Sequence, residues 1–282
     1  MAGEIIKTEG IVLAIRPWSR TSHVVTWLTP DHGCVTTLVK GAVRPKSAFL
    51  GQYDLFYTCD LLYYARATAD LHALRETMPR ALRENLRGRW RETALAGYAA
   101  GLVQDLAPAN GEAAAWFTFL DSLLTRLESK GGTQLVATTP GGTRSCASAL
   151  QELVRLEMEI LKLAGWSPDF SGMDPRADWT PFAIDRGRCG DGTRTVRLSP
   201  RTVAVLTRPD APGHAPETVE DAVRFLGVFL AYHLDTPPDV RRSLVALLAT
   251  PSCRHPASES RPPRARGARY RRLGQHSKLH NG

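Results

Sequence analysis

The sequence predicts an α+β protein in which a small barrel is followed by a helical domain and a disordered basic tail. Three observations predict it. Apolar side chains alternate with period two up to about residue 80, they recur with helical spacing from there to about residue 250, and no apolar periodicity remains from Pro251 onward. The predicted units are therefore 1–80, 81–250 and 251–282.

Five segments of the first unit have the strand pattern and are separated by turn residues. In order they read GIVLAIR, SHVVTWL, CVTTLVK, YDLFYTCDLLYYAR and LHALRET. So short a stretch leaves no room for crossover helices, which favours a small antiparallel barrel. The commonest five-stranded barrel that binds oligonucleotides is the OB-fold, and this is the fold that the sequence predicts.

The period changes at Met78-Pro79, after which apolar residues recur every fourth position and predict one long helix, ALRENLRGRWRETALAGYAAGLVQDLA. Four further helices are predicted in EAAAWFTFLDSLLTRLES, SALQELVRLEMEILKLAGW, ETVEDAVRFLGVFLAYHL and PDVRRSLVALLA. The third predicted helix of the chain should end at Gly165, a favourable C-terminal cap.

Two stretches interrupt the helical domain. Residues 129–147 are rich in Gly and Thr and predict a flexible loop. Residues 167–197 contain three prolines and several glycines, and they predict an irregular excursion that ends in a short strand, RTVRL.

Charge is unevenly distributed along the chain, whose formal net charge is +8. Residues 1–90 hold 12 Lys/Arg and 8 Asp/Glu, residues 91–250 hold 16 and 19, and residues 251–282 hold 8 and 1, which gives +4, −3 and +7. Basic ends predict a polyanionic partner. No apolar run has the form of a signal peptide or the length of a membrane span, so we expect a cytoplasmic protein.

The motifs of common enzymes do not occur: there is no GxSxG, HExxH, P-loop or GxGxxG. Glu152, Glu157 and Glu159 could be metal ligands, but their helix contains no histidine, and a solvated helix face is the favoured interpretation. The five cysteines form no CxxC pair, which argues against a disulfide framework and a cysteine-rich zinc site. His233 ends a predicted helix, where the dipole favours a cation.

Cations gather instead on two predicted loops of the barrel. RPWSR lies between the first two strands and KGAVRPK follows the third. Cations that follow phosphates, with aromatic rings available for stacking, are what single-stranded DNA or RNA requires. The candidate DNA-binding residues are Arg16, Arg20, Lys40, Arg44 and Lys46. Trp18 and Trp27 are predicted to lie in the core.

In this order and spacing, EGIVLAIRPWSRTSHVVTWLTPDHG, LVKGAVRPKS, LEMEILKLAGWSPDF, LSPRTVAVL and YHLDTPPDVRRSLVAL resemble the RecO family of bacterial recombination mediators of the RecF pathway. The resemblance covers about residues 8–249. It implies an OB-fold on a helical domain and a non-enzymatic role without cofactors in DNA repair and homologous recombination. Such a protein binds single- and double-stranded DNA, anneals complementary strands and helps to load recombinase onto DNA coated by single-stranded-DNA-binding protein.

The resemblance also implies two protein partners, RecR and the acidic C-terminal tail of single-stranded-DNA-binding protein, and a nucleoid-associated location. The tail would dock on the third helix, where Arg155, Leu156 and Ile160 fall at matching positions and Val154 replaces a second basic residue. Many relatives have two CxxC pairs in the excursion, but here SGMDPR and CGDG leave Cys189 alone, so no metal is expected.

A second class of function stays open at this point. An OB-fold RNA-associated enzyme, or a metal-dependent enzyme of nucleic-acid metabolism, would share the barrel and its cations. A cluster of acids in the helical core would favour that alternative.

Overall fold

The structure is a computed structural model that describes residues 4–65, 70–109, 111, 113–129, 143–234 and 238–250. The predicted disordered tail, 251–282, and most of the predicted flexible loop, 130–142, lie outside these residues. No helix within the described ranges is long and apolar enough to cross a membrane.

The first five strands close into a barrel. They are β1 (Glu4–Ser19), β2 (Ser22–Thr29), β3 (Gly33–Val39), β4 (Thr58–Ala65) and β5 (Leu71–Ala81). Their order around the barrel is β1-β2-β3-β5-β4, and β1 pairs with β4 to close it. The β3–β5 pair is parallel and the other pairs are antiparallel. The predicted OB-fold is confirmed, with one parallel pair that the strand pattern alone did not indicate.

The interior of the barrel follows the alternation of its strands. Val25 and Trp27 of β2 point inward and are fully buried, as is Cys59 of β4. The indole Nε1 of Trp27 donates a hydrogen bond to Thr37 Oγ1 at 2.8 Å, so its only polar atom is satisfied inside the barrel. The prediction that Trp27 lies in the core is confirmed.

In the described part of the chain, six α-helices and a small sheet follow the barrel. The helices are α1 (Trp90–Leu106), α2 (Ala114–Ser129), α3 (Thr143–Leu163), α4 (Pro200–Thr207), α5 (Pro216–His233) and α6 (Pro238–Ala249). The sheet consists of β6 (Thr180–Ala183), β7 (Arg188–Cys189) and β8 (Thr195–Leu198), in the order β7-β6-β8. This sheet forms in the stretch that was predicted to be irregular, residues 167–197, where only the strand β8 was predicted. Helix α4 was not predicted.

The junction between barrel and helices differs from the prediction of one long helix from residue 81. β5 keeps its pairing with β4 as far as Ala81, which lies opposite Thr58. Arg83 then adopts a left-handed conformation with φ 49°, and one 3-10 turn precedes α1. The first nine residues of the predicted helix, 81–89, therefore lie outside α1. Leu82 and Trp90 of the predicted apolar stripe are exposed.

The side chain of Arg83 fastens this junction. It is buried and donates to the carbonyl of Phe56 and to Thr58 Oγ1, both at 2.7 Å, and to Asp121 of α2 at 2.5 Å. One guanidinium thus connects the end of β5, the start of β4 and a helix.

Helix α3 ends at Gly165, as predicted. The face of α3 that was expected to be solvated is instead covered by other helices. Gly165 has φ +77°, and the Trp166 N–H donates to the carbonyl of Leu161 at 2.8 Å, which is a Schellman termination. Glu152 and Glu157, however, are buried and not solvated. The prediction of a solvated face is wrong for both, because α2 and α6 pack there and each supplies an arginine.

Those two arginines compensate the buried carboxylates. Arg126 of α2 donates to Glu152 at 2.8 Å, and Arg241 of α6 donates two hydrogen bonds to Glu157, at 2.6 and 2.8 Å. The Tyr98 hydroxyl donates to Glu157 at 3.0 Å. Glu152 therefore connects α3 to α2, and Glu157 connects α3 to α6 and to α1.

Candidate nucleic-acid interface

The two cationic loops of the barrel lie against each other at one end of it. The Val43 N–H donates to the carbonyl of Thr21 at 3.3 Å, and the Gly41 N–H donates to Ser22 Oγ at 3.2 Å. Arg20 and Thr21 form the turn between β1 and β2, and Ser22 begins β2, so backbone N–H groups of the segment after β3 bond to that turn and to the start of β2. RPWSR was predicted to be a loop, but Arg16–Ser19 belong to β1. The two segments that contain the candidate cations are thus brought together.

Gly41 sets the course of the chain after Lys40. Its φ is +68°, in the left-handed region that glycine adopts readily. The Arg44 N–H donates to the Gly41 carbonyl at 3.1 Å, and the Ser47 N–H donates to the Arg44 carbonyl at 2.9 Å, which makes two successive turns. A Cβ at Gly41 would lie 3.2 Å from Cδ of Arg44, so the glycine also leaves room for the arginine side chain.

Arg16 reaches the same region along the outer face of the sheet. It lies opposite Val24 of β2, and Val24 lies opposite Leu38 of β3. Because cross-strand partners point to the same side of a sheet, Arg16 and Leu38 share the outer face of the β1–β2–β3 end. In an OB-fold this face and the loop between the first two strands bind oligonucleotides.

The five candidate cations, hereafter the barrel cations, are all exposed. None of them forms an ion pair with any residue in the described part of the chain, whereas the nearby Arg80 pairs with Asp60 at 2.6 Å and Arg87 with Asp54 at 2.5 Å. Cations without an internal counter-ion are available to an external anion.

A shallow concavity of about 380 Å³ lies between the two loops and is hereafter the barrel concavity. It is lined by Trp18, Ser19, Ser22, Leu38, Lys40, Gly41 and Arg44. Trp18 is 62% exposed, so the prediction that it lies in the core is wrong. It stands near the end of β1, where the pairing with β2 becomes irregular between Pro17 and Ser19. Its exposure shows that no element in the described part of the chain covers most of the ring.

An exposed indole beside two cations completes the chemistry of a single-strand site. The ring offers a surface on which a base can stack, and Lys40 and Arg44 beside it offer charges that suit phosphates. Trp18 is the candidate site residue that the sequence interpretation missed. The sequence shows only that Trp18 lies among the polar and charged residues of RPWSR, outside the apolar alternation that surrounds Trp27, and this does not decide whether another element covers the ring.

The first 82 residues match the family model described as "Recombination protein O N terminal". The curated protein "DNA repair protein RecO" of Geobacter metallireducens is 26% identical over 240 residues, which cover 83% of this chain and 94% of the relative. The protein of the same name from an Anaeromyxobacter species is 26% identical over 258 residues, covering 85% and 95%. The chain is thus similar to RecO proteins, in its first 82 residues to the N-terminal part of that family and over most of its length to these two relatives.

A third relative named RecO, from Alkaliphilus metalliredigens, is 30% identical over 102 residues. That alignment covers 36% of this chain and 41% of the relative, so it spans less than half of the relative's length.

The dock on α3 that the resemblance to the RecO family implied does not have the surface it needs. Leu156 and Ile160 are fully buried in the helical core, where they cannot contact a peptide while the helices stay packed. Arg155 is partly exposed and bonded to Glu159 at 3.2 Å and to Asp210 at 2.6 Å. The assignment of Leu156 and Ile160 as contact residues is therefore wrong for this conformation, and Arg155 alone remains at the surface.

The excursion, in which the resemblance placed two CxxC pairs of relatives, contains no cluster of metal-ligand side chains among its described residues. Within the described ranges, no group of three or more His, Cys, Asp or Glu side chains is arranged to hold a metal ion. Cys189 lies on β7, half-buried, and β6 pairs with both β7 and β8 to form the small sheet. Strand pairing and the burial of Phe182 hold this region together.

Proposed function

We propose that this chain is a non-enzymatic mediator of DNA repair and homologous recombination that binds DNA through the outer face of its barrel. The observation that carries the proposal is the set of exposed barrel cations without internal ion pairs around the exposed ring of Trp18. The name of the curated relatives, "DNA repair protein RecO", supports the biological role.

The finer parts of the proposal rest on the family resemblance. The chain binds single- and double-stranded DNA and anneals complementary strands, because neutralised phosphates let two strands approach each other. It helps to load recombinase onto DNA coated by single-stranded-DNA-binding protein, with RecR and the acidic tail of that protein as partners. Its place of action is the cytoplasm, at the nucleoid.

The alternative, a metal-dependent or RNA-associated enzyme, requires a set of clustered acids or histidines. In the described ranges, the buried acids Glu152 and Glu157 are each committed to an arginine. No observation favours this alternative.

The salt dependence of binding tests the proposal. For single strands, each phosphate contact contributes about 0.7 to the slope of log affinity against log salt. Changing Lys40, Arg44 and Lys46 together to Glu should reduce the magnitude of the slope by about 2 and abolish annealing, because the change removes attraction and adds repulsion. Both the variant and the parent are measured as the full chain. The contribution of the basic tail to the salt slope is then the same in each and cancels in the difference.

A matched control reverses three other exposed arginines, Arg186, Arg188 and Arg208, and so changes the net charge by the same amount. We expect this control to keep a slope close to that of the parent and to anneal. Equal losses in both variants would mean that net charge alone governs binding, and an unchanged slope in the barrel variant would remove the barrel cations from the site.

A further inference from the structure

A second concavity lies on the small sheet and is lined by the same kinds of side chain as the barrel concavity. It measures about 300 Å³, lies between the sheet and α5, and is hereafter the sheet concavity. Its lining includes an exposed indole, two cations and two hydroxyl groups: Trp179, Arg197, Arg224, Ser199 and Thr202. The barrel concavity likewise combines an exposed indole, two cations and two serines.

The indole and one cation form a stacked pair. Pro181 of β6 lies opposite Arg197 of β8, and Trp179 is two residues before Pro181, so Trp179 and Arg197 stand on the same face of the sheet. The guanidinium carbon of Arg197 lies 4.4 Å from the centre of the indole ring. Trp179 is nevertheless 47% exposed, so part of the stack remains open to a ligand.

The charges of the sheet concavity leave it open to an anion. Arg197 is exposed and forms no ion pair with any residue that the structure describes. Arg224 pairs with Asp221 at 2.6 Å, but both side chains are mostly exposed, and such surface pairs are weak enough for a phosphate to compete.

The size and shape of the sheet concavity favour a nucleobase over a peptide. Its volume is at the lower end of the range for small-molecule sites and suits one planar ring. Val228 and Phe225 provide an apolar floor, and the indole and guanidinium provide flat stacking surfaces. A base inside a duplex is already stacked, so the fitting ligand is a single strand.

We propose that the sheet concavity is a second single-strand site, which stacks a base of one DNA strand on Trp179 and Arg197 while the barrel concavity holds the other strand. This inference rests on the proposed function and deepens it. Annealing requires two strands on one surface, and a chain with two separate single-strand sites brings them together without a second copy.

Binding stoichiometry in the full-length protein tests this arrangement. The probe is a thymidine oligonucleotide of about eight residues, which is within the site size of one OB-fold. We expect the parent to bind two oligonucleotides per chain. Trp179→Ala should weaken one of the two by at least about fivefold, the lower end of what one base–aromatic stack contributes.

Trp18→Ala should weaken binding of the other oligonucleotide by a similar factor, and each single variant should anneal more slowly than the parent while its unaltered site keeps its affinity. Trp179→Phe should keep both strands, because phenylalanine also stacks. Arg197→Glu removes the cation without removing the ring and provides a second test if Trp179→Ala does not fold.

Trp90→Ala is the matched control. Trp90 is 46% exposed and stacks on Arg91 at 4.6 Å, but Arg91 is buried and donates to the carbonyl of Thr250, so no free cation stands beside this ring. We expect Trp90→Ala to bind two oligonucleotides.

Photochemical crosslinking with 5-iododeoxyuridine in the same oligonucleotide locates the strands directly, and adducts are expected at Trp18 and at Trp179. One oligonucleotide per chain with an adduct at Trp18 alone would overturn the second site and leave the proposed function standing. A parent that binds no oligonucleotide would overturn both. If Trp179→Ala kept both strands but lost binding of an acidic peptide, the sheet concavity would be a protein dock, and the inference would be wrong.

Discussion

At the scale of single residues, the two tryptophans of the barrel show what a sequence can and cannot predict. Trp27 stands in a strict alternation, and alternation is enough to place it inside. Trp18 stands where the alternation has ended, and its position depends on whether another element covers the end of β1. That is a tertiary fact which no local pattern contains, so the ring with the clearest part in the candidate site was predicted to be buried.

His233 is a second residue whose state depends on distant contacts. Its ring stacks on Trp166 with centroids 5.7 Å apart and lies 4.5 Å from the ring of Phe229. Its Nε2 is buried and has no hydrogen-bond partner among the described residues. Desolvation lowers the pKa of the imidazole below its ordinary value, which opposes the preference of the helix dipole for a cation at this end.

Because the pKa of His233 is lowered on folding, the free energy of unfolding should decrease as the pH falls. The folded state disfavours the proton that the unfolded chain accepts with a pKa near 6.5. The contribution of neutral His233 is therefore fully present above that pH and is lost as the pH falls below it. Between about pH 8 and about pH 5.5, the melting temperature of the parent should fall further than that of His233→Phe, which keeps the ring stacking. Parallel declines in the two proteins would mean that His233 titrates normally.

At the scale of elements, sequence prediction succeeded where local signals agree with tertiary contacts. The predicted bounds of α6 are those observed, and the Gly165 termination of α3 is a local device that the sequence shows. The helix α4 was missed although Ser199 caps it by accepting a hydrogen bond from the Thr202 N–H and Pro200 follows at its first position. The burial of Glu157 could not be predicted, because its partner Arg241 lies 84 residues away along the chain.

The Glu157–Arg241 pair joins α3 to α6, and its loss should be severe. Arg241→Met would leave a fully buried carboxylate with only the Tyr98 hydroxyl, and breaking such a pair typically costs about 3–5 kcal/mol of unfolding free energy. Adding Glu157→Leu should recover part of that loss, because the double variant buries no charge. Urea denaturation measures all three proteins.

The exposed pair of Arg224 with Asp221 provides the comparison for that experiment, since Arg224→Ala should cost at most about 1 kcal/mol. A cost of the same size for Arg241→Met would show that water reaches Glu157 and that the pair is not closed off.

At the scale of the whole molecule, the sequence predicted the order of the parts, a barrel and then helices, but not how they are joined. Apolar residues of the barrel, including Ile11, Leu13 and Leu28, belong to the same core as the helices. Ile11 and Leu13 stand two positions apart in the segment GIVLAIR and therefore share a face of a strand, but the alternation does not show that the helices cover it. The bounds 1–80 and 81–250 remain a prediction about independent domains.

Arg83 is the polar part of that join, and its removal tests how the parts depend on each other. Arg83→Met should lower the free energy of unfolding by at least about 3 kcal/mol, because each hydrogen bond to a charged group contributes roughly 1.5–3 kcal/mol. Arg87→Met, which removes an exposed pair with Asp54, should cost no more than about 1 kcal/mol. Hydrogen exchange of β4 and α2 should rise in the Arg83 variant, and unaltered exchange in both elements would mean that apolar packing alone holds barrel and helices together.

The pairing of β1 with β4 also determines when the barrel can form during synthesis. Glu4 lies opposite Ala65 and Ile11 opposite Thr58, and β5 must then enter between β3 and β4 before the barrel is closed. A ribosome that adds about 5–20 residues per second needs roughly 4–16 s to deliver the first 80 residues. During that time the apolar strand β1 is part of the nascent chain and is not yet paired with β4. The β1–β2–β3 meander can form earlier because its strands are neighbours in sequence, so the first half of the barrel offers an open edge to chaperones until β4 and β5 emerge.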